Sequence, residues 1–212
     1  MVKLIIVRHG YSVANQERKF SGQMDTPLTE IGVKQAIETA DFVLNNYKID
    51  KIYSSDLSRA VKTAELVSTA IGIDIILDKN LRELNVGSWQ NKAIADVKKE
   101  FPTSFELYKT NVGRGHPDGG EKFSDFIDRV KNVVTKIAQE SADKTVLVST
   151  HGGVIRALRS TLNNCSLDDV INIPHVANSS ITVLEYDNGK WEFTLIGHDE
   201  HLTEKSSEFA VQ

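Results

Sequence analysis

The stretch Lys3-Leu4-Ile5-Ile6-Val7-Arg8-His9-Gly10 is a short apolar run, rich in β-branched residues, that ends abruptly in a cation, an imidazole and a glycine. A run of that length closed by a polar turn reads as a buried strand, Lys3–Val7, with Arg8 and His9 at its carboxyl end. A second run of the same kind, Thr145–Ser149, ends in Thr150-His151-Gly152-Gly153. Between them apolar residues fall at Val33, Ala36, Ile37, Ala40, Val43 and Leu44, the spacing of a helix over Glu30–Asn46. Lys51–Ser54 reads as a strand, Leu57–Ile71 as a helix and Asp74–Leu77 as a third short strand. Phe123, Phe126, Ile127, Val130, Val133, Val134 and Ile137 mark a long amphipathic helix, and Gly152–Leu162 another. Strands alternating with helices predict an α/β fold with a largely parallel sheet.

The chain closes with two strands, Ser179–Tyr186 and Trp191–Gly197, around Asp187-Asn188-Gly189-Lys190. Asn-Gly there is hairpin chemistry. The stretch from Leu84 to Lys122 breaks the alternation. It contains Asn111-Val112-Gly113-Arg114-Gly115-His116-Pro117-Asp118-Gly119-Gly120, which reads as a mobile loop. We take about 84–122 as an insertion or lid over one end of the sheet, within a single domain spanning 1–212. The last dozen residues are polar and read as frayed.

The 212 residues are 40% hydrophobic and 25% charged, with a formal net charge of −4. That balance excludes a globally basic nucleic-acid binder and gives no membrane-surface signal. The single cysteine, Cys165, excludes an intramolecular disulfide framework and a multi-cysteine zinc site; it reads as a small core filler. The initial apolar run is too short for a signal-peptide core or a membrane span, so a cytoplasmic protein is expected. The sequence sets no oligomeric state.

In parallel α/β sheets ligands bind outside the carboxyl ends of the strands. Arg8 and His9, Ser55 to Arg59, Arg82 and Glu83, and His151 to Gly153 all fall at or just beyond such ends. Two imidazoles, two or three guanidinium groups and one carboxylate on a shared edge suit a phosphoryl group. Arginine forks bind phosphate bidentately, and a helix start at Gly152 adds amide donors. A neutral imidazole attacks phosphorus, and a carboxylic acid protonates the leaving oxygen.

These segments resemble the histidine phosphatase superfamily, in its branch of cofactor-dependent phosphoglycerate mutases and small-molecule phosphatases. Arg8-His9-Gly10 looks like the defining motif, with Asn15 at the expected later position. Gly22 to Gly32 is similar to the block Gly-x-x-Asp-x-Pro-Leu-Thr-x-x-Gly. Ser54 to Ala64 resembles the second arginine motif, Leu81 to Trp89 the acid-bearing one, and Val148 to Gly153 the second histidine motif. Motifs in this order over nearly the whole chain outweigh the false-positive risk of any one.

The resemblance implies a three-layer α/β/α fold with a mostly parallel central sheet and an antiparallel strand at the edge. It implies His9 as nucleophile and phosphohistidine, and Glu83 as proton donor and then base to water. Arg8, Arg59 and His151 would hold the phosphoryl oxygens, with Asn15 and the Gly152 amide assisting. Ser21 and Gly22 would line the substrate side. No metal and no cofactor are implied, and the partner is a small-molecule phosphate ester. Ser21, Gln90-Asn91 and Lys122 depart from the family pattern at positions that bear on substrate. The mutase segments that bind substrate through paired arginines are absent, which favours a phosphatase over the alternative, a cofactor-dependent phosphoglycerate mutase.

Other residues carry plainer readings. Trp89 reads as packing for the Glu83 loop, and His198-Asp199-Glu200-His201 as a solvated turn rather than a metal site. His175 has no assigned role. Arg114, His116 and Lys122 fit either a positive lid over an acidic substrate or ordinary surface charge.

Overall fold

The computed structural model describes residues 1–113, 115–162 and 165–205. Six strands form one sheet in the order β3-β2-β4-β1-β5-β6. They are β1 (Val2–Arg8), β2 (Lys51–Ser54), β3 (Ile75–Leu77), β4 (Thr145–Thr150), β5 (Ile181–Asp187) and β6 (Lys190–His198). The first four run parallel, and the antiparallel pairings, β1 with β5 and β5 with β6, gather toward one edge. The helices are α1 (Val13–Gln16), α2 (Glu30–Asn46), α3 (Ser58–Ile71), α4 (Ile94–Glu100), α5 (Pro102–Thr110), α6 (Phe123–Gln139) and α7 (Gly152–Leu162).

Alternation along β1 divides the core. Leu4 and Ile6 face the side covered by α6, α7 and the insertion, in one cluster with Val146, Val148, Phe126 and Ile155. Ile5 and Val7 face α2 and α3, with Leu147, Ile52, Ala40 and Val67. A sheet buried on both faces is what near-continuous apolar strands demand, and three layers result.

The strand order positions the site. β1 and β4 are parallel neighbours in register from Lys3 with Thr145 to Arg8 with Thr150. The next residues, His9 and His151, are therefore brought side by side. The chain leaves β1 toward α2 on one face and leaves β4 into α7 on the other. That divergence opens a crevice at the strand ends.

The insertion carries regular structure of its own. It holds α4 and α5, separated at Phe101-Pro102 because proline disfavours helix in the residue before it and suits a first helical position. The Asp118 carbonyl accepts from Ser88 N (2.9 Å), and just beyond the 111–120 segment Glu121 N donates to the Asn85 carbonyl (2.9 Å). Arg114 and residues 206–212, most of the expected frayed end, lie outside the described residues. Cys165 is only partly buried, not a core filler. Among the described residues no helix is long and apolar enough to cross a membrane.

Candidate active site

His9 follows β1 directly and is 5% exposed. Its Nδ1 lies 2.8 Å from the Gly10 carbonyl oxygen. A carbonyl only accepts, so in the neutral ring Nδ1 carries the proton and Nε2 keeps its lone pair. Burial, then the charges of Arg59 and Arg8, pushes His9 well below the ordinary imidazole range. At neutral pH the ring is uncharged.

Three hydrogen bonds hold this strand end in place. His9 N donates to the Thr150 carbonyl (2.9 Å), Gly10 N to Thr63 Oγ1 (3.1 Å), and Asn178 Nδ2 to the His9 carbonyl (3.0 Å). The His151 ring meets His9 edge-on with 5.1 Å between centroids. His151 is fully buried, its Nε2 is 2.8 Å from Ser55 Oγ, and its Nδ1 has no partner. Burial, then Arg59, His9 and Arg8, lowers its pKa as well.

The predicted arginines separate into three kinds. Arg8 lies in the cavity wall beside Gly152 and donates through Nη1 to the Val176 carbonyl. Arg59 is fully buried beneath the site. Its Nη1 and Nη2 hold the Met24 and Gly22 carbonyls at 2.8 and 2.9 Å, and its Nε has no partner. Burial lowers its pKa to about 10, which still leaves it charged at neutral pH. Arg82 is committed elsewhere, forked onto Asp56 with both contacts at 2.6 Å.

Glu83 is fixed by backbone donors. Its Oε1 accepts from Leu84 N at 2.8 Å and its Oε2 from Gly153 N at 3.0 Å, in the first turn of α7. A Cβ on Gly153 would lie 2.0 Å from Glu83 Oε1, so only glycine permits this approach. Arg129 braces the same segment. It forks onto Glu121 at 2.9 and 2.8 Å and donates to the carbonyls of Asn80, Arg82 and Glu83. Trp89 is fully buried against Phe20, Phe105 and Tyr108, as packing beneath the Glu83 loop.

These groups open onto a cavity of about 360 Å³. Arg8, His9, Asn15, Ser21, Gly22, Glu83 and Gly152 all line it. Arg59 and His151, both fully buried, do not. Asn15 accepts through Oδ1 from Ser12 N and Oγ and from Asn178 Nδ2, which ties it to the His9 turn. His116 and Lys122 are exposed and outside the cavity wall, which favours ordinary surface charge for them. His198 and His201 stack on each other and meet Phe42 at a tilt, and His201 Nε2 lies 3.0 Å from Thr39 Oγ1. Among the described residues no three His, Cys, Asp or Glu side chains converge as ligands for a metal ion.

A sequence model of the histidine phosphatase superfamily (branch 1) matches residues 4–199. The chain belongs to that superfamily. Phosphoglycerate mutase-like protein 4 of Arabidopsis thaliana is 30% identical over 205 residues, 95% of this chain and 87% of the relative. A metal-independent phosphoserine phosphatase of the same plant is 29% identical over 193 residues, 90% and 79% respectively. Among solved structures, YhfR of Bacillus stearothermophilus superposes with a TM-score of 0.91 at 30% identity, covering 95% of this chain and 100% of its own. Mycobacterial glucosyl-3-phosphoglycerate phosphatase, solved with VO3, gives 0.84 at 28%, covering 93% and 99%.

Sequence reasoning missed Asn178, Thr63 and Arg129, which bond to the backbone around His9 and Glu83. It also left Arg156, Tyr108 and His175 unassigned, although all three line the cavity. For Arg156 a signal was present: a cation set between Val154, Ile155, Ala157 and Leu158 interrupts an otherwise buried run.

Proposed function

We propose that this superfamily member is a metal-independent phosphatase that hydrolyses a small-molecule phosphate monoester through a phosphohistidine on His9. The observation that carries the reading is the fixed tautomer of a buried, neutral His9 in a cavity wall that also holds Arg8 and Glu83. Nε2 attacks phosphorus as the ester P–O bond breaks. The leaving oxygen takes a proton from the Glu83 carboxyl. Water then attacks the phosphorus, gives its proton to the Glu83 carboxylate, and releases phosphate and the free imidazole. Arg8 and the Gly152 amide hold phosphoryl oxygens, with Asn15 at the rim. Arg59 and His151 act from behind: Arg59 supplies charge, and a loose transition state asks mainly for positioning and such a field. Ser21 and Gly22 border the leaving group.

The plant phosphoserine phosphatase and the mycobacterial phosphatase support hydrolysis. The mutase-like relative supports a second reading, in which the phosphoryl group returns to a hydroxyl before water arrives. Phosphate release from p-nitrophenyl phosphate in excess EDTA, by wild type and His9→Ala together, tests the first. Activity that survives EDTA and vanishes in the variant is expected. Loss of wild-type activity in EDTA would overturn it. A coupled isomerisation assay in which phosphoglycerate turnover outpaces phosphate release would favour the mutase.

A further inference from the structure

The cavity carries more positive charge than one phosphoryl group requires. Its wall holds Arg8, Lys19, Lys109 and Arg156 against a single carboxylate, Glu83, in a chain whose net charge is −4. Lys19 pairs with Glu17 at 2.8 Å. Among the described residues Arg156 pairs with no carboxylate. It is 7% exposed, and its donors go to the Val170 carbonyl and to His175 Nε2, 3.0 Å away. Arginine cannot accept, so Nε2 of His175 does, and that ring is neutral. Burial and the charges of Arg156 and Arg8 agree, holding His175 down at about 3.

Buried cations are ordinarily paired, because removing a charge from water costs several kcal/mol per ion. Arg156 braces the loop that carries Val170 and His175, yet neither partner neutralises it. Three bonds also leave two of its five N–H donors without a partner among the described residues. Tyr108 lines the same cavity, and among the described residues its hydroxyl has no hydrogen-bond partner. That hydroxyl lies within electrostatic reach of both Glu83 and Arg156. Lys109, the next residue along α5, also lines the cavity and has no ion-pair partner among the described residues.

We infer that Arg156, Tyr108 and Lys109 form a second anion subsite, which takes a carboxylate or second phosphate on the alcohol part of the substrate. This rests on the phosphatase reading and narrows it: the substrate is a phosphate ester with another negative group beyond the scissile oxygen. Phe20, Leu84 and Val112 supply an apolar collar in the same wall. They suit a short carbon linker and exclude water around both charges.

The test compares three esters of similar length: propyl phosphate, 2-carboxyethyl phosphate and propane-1,3-diyl bisphosphate. Wild-type kcat/KM is expected to favour at least one anionic ester over propyl phosphate by about 10- to 100-fold, the range for charge-assisted hydrogen bonds. Which one it favours identifies the anion. In Arg156→Gln that ratio is expected to collapse to within about 3-fold, and Arg156→Lys to restore part of it. A bracing role alone would lower all three rates together and leave the ratio intact. A wild-type ratio below about 3, or an unchanged ratio in folded Arg156→Gln, overturns the subsite and leaves the phosphatase reading standing. If Arg156→Gln does not fold by circular dichroism, Lys109→Met reads the same ratio, and no change there overturns the subsite. If no ester is hydrolysed, the phosphatase reading fails and calorimetry on wild type decides the subsite. Tighter binding of an anionic ester supports it, and equal binding of all three overturns it.

Discussion

Gly153→Ala separates the placement of Glu83 from the stability of the fold. The added methyl would lie 2.0 Å from Glu83 Oε1 and 3.2 Å from Oε2. Ordinary contact needs roughly 3.2 Å or more, so the carboxylate must retreat by about 1 Å. The moving atoms are the end of a side chain, and alanine suits a helix better than glycine by about 1 kcal/mol. The fold should therefore survive with Tm within a few degrees of wild type. The acid should not stay in place. A misplacement of 1 Å costs about 100-fold where geometry decides the rate, or about 2.7 kcal/mol of barrier. The loss should depend on the leaving group. An alkyl phosphate needs the proton and should lose about 100-fold in kcat. p-Nitrophenyl phosphate, whose phenolate leaves readily, should lose less than about 10-fold. Steady-state kinetics on both esters, with circular dichroism as a folding control, gives the answer. A folded Gly153→Ala enzyme with wild-type kcat on the alkyl ester would refute Glu83 as the positioned acid.

Other outcomes follow from the same contacts. Asn178→Ala removes donors to the His9 carbonyl and should cost about 1–2 kcal/mol in urea unfolding, with a lower kcat; unchanged values for both would contradict its positioning role. Arg129→Met breaks the fork onto Glu121 and frees three carbonyls beside Glu83. It should cost roughly 2–3 kcal/mol and lower turnover of alkyl esters more than of p-nitrophenyl phosphate. His9, His151 and His175 all have folded pKa values below 6.5. The unfolded chain binds those protons first, so the stability they confer is complete above 6.5 and is lost as pH falls below it. Each contributes about 1.4 kcal/mol per pH unit in that window. His175→Gln should reduce the slope of unfolding free energy between pH 6 and 4 by that amount, measured by denaturant titration. An unchanged slope would mean that His175 is not held neutral.

Much of the architecture was legible because its signals are local. The run ending at Arg8 and His9, the run ending at His151, and the 3.6-residue period of α2 and α6 each declare an element without outside help. Parallel order then brings the histidines together, since β1 and β4 pair in register up to Arg8 and Thr150. The insertion was less legible. Its apolar residues Val97, Phe101, Phe105 and Tyr108 keep a helical rhythm, but Pro102 breaks the run into two short helices. Long-range polar contacts were not legible at all. Nothing near Arg59 announces that it will hold the Gly22 and Met24 carbonyls, and nothing near Arg129 points to Glu83. Asn178 reads as a loop residue until β5 is laid beside β1 and its amide meets the His9 carbonyl.

Everything in the proposed reaction depends on His9 carrying the phosphoryl group. Wild-type enzyme mixed with substrate and quenched in alkali within milliseconds, then digested for mass spectrometry, tests it most directly. A phosphoryl group on the His9 peptide that forms before phosphate appears in solution, with none in His9→Ala, is expected. A phosphoryl group on His151 or any other residue, or wild-type phosphate release from His9→Ala, would contradict it.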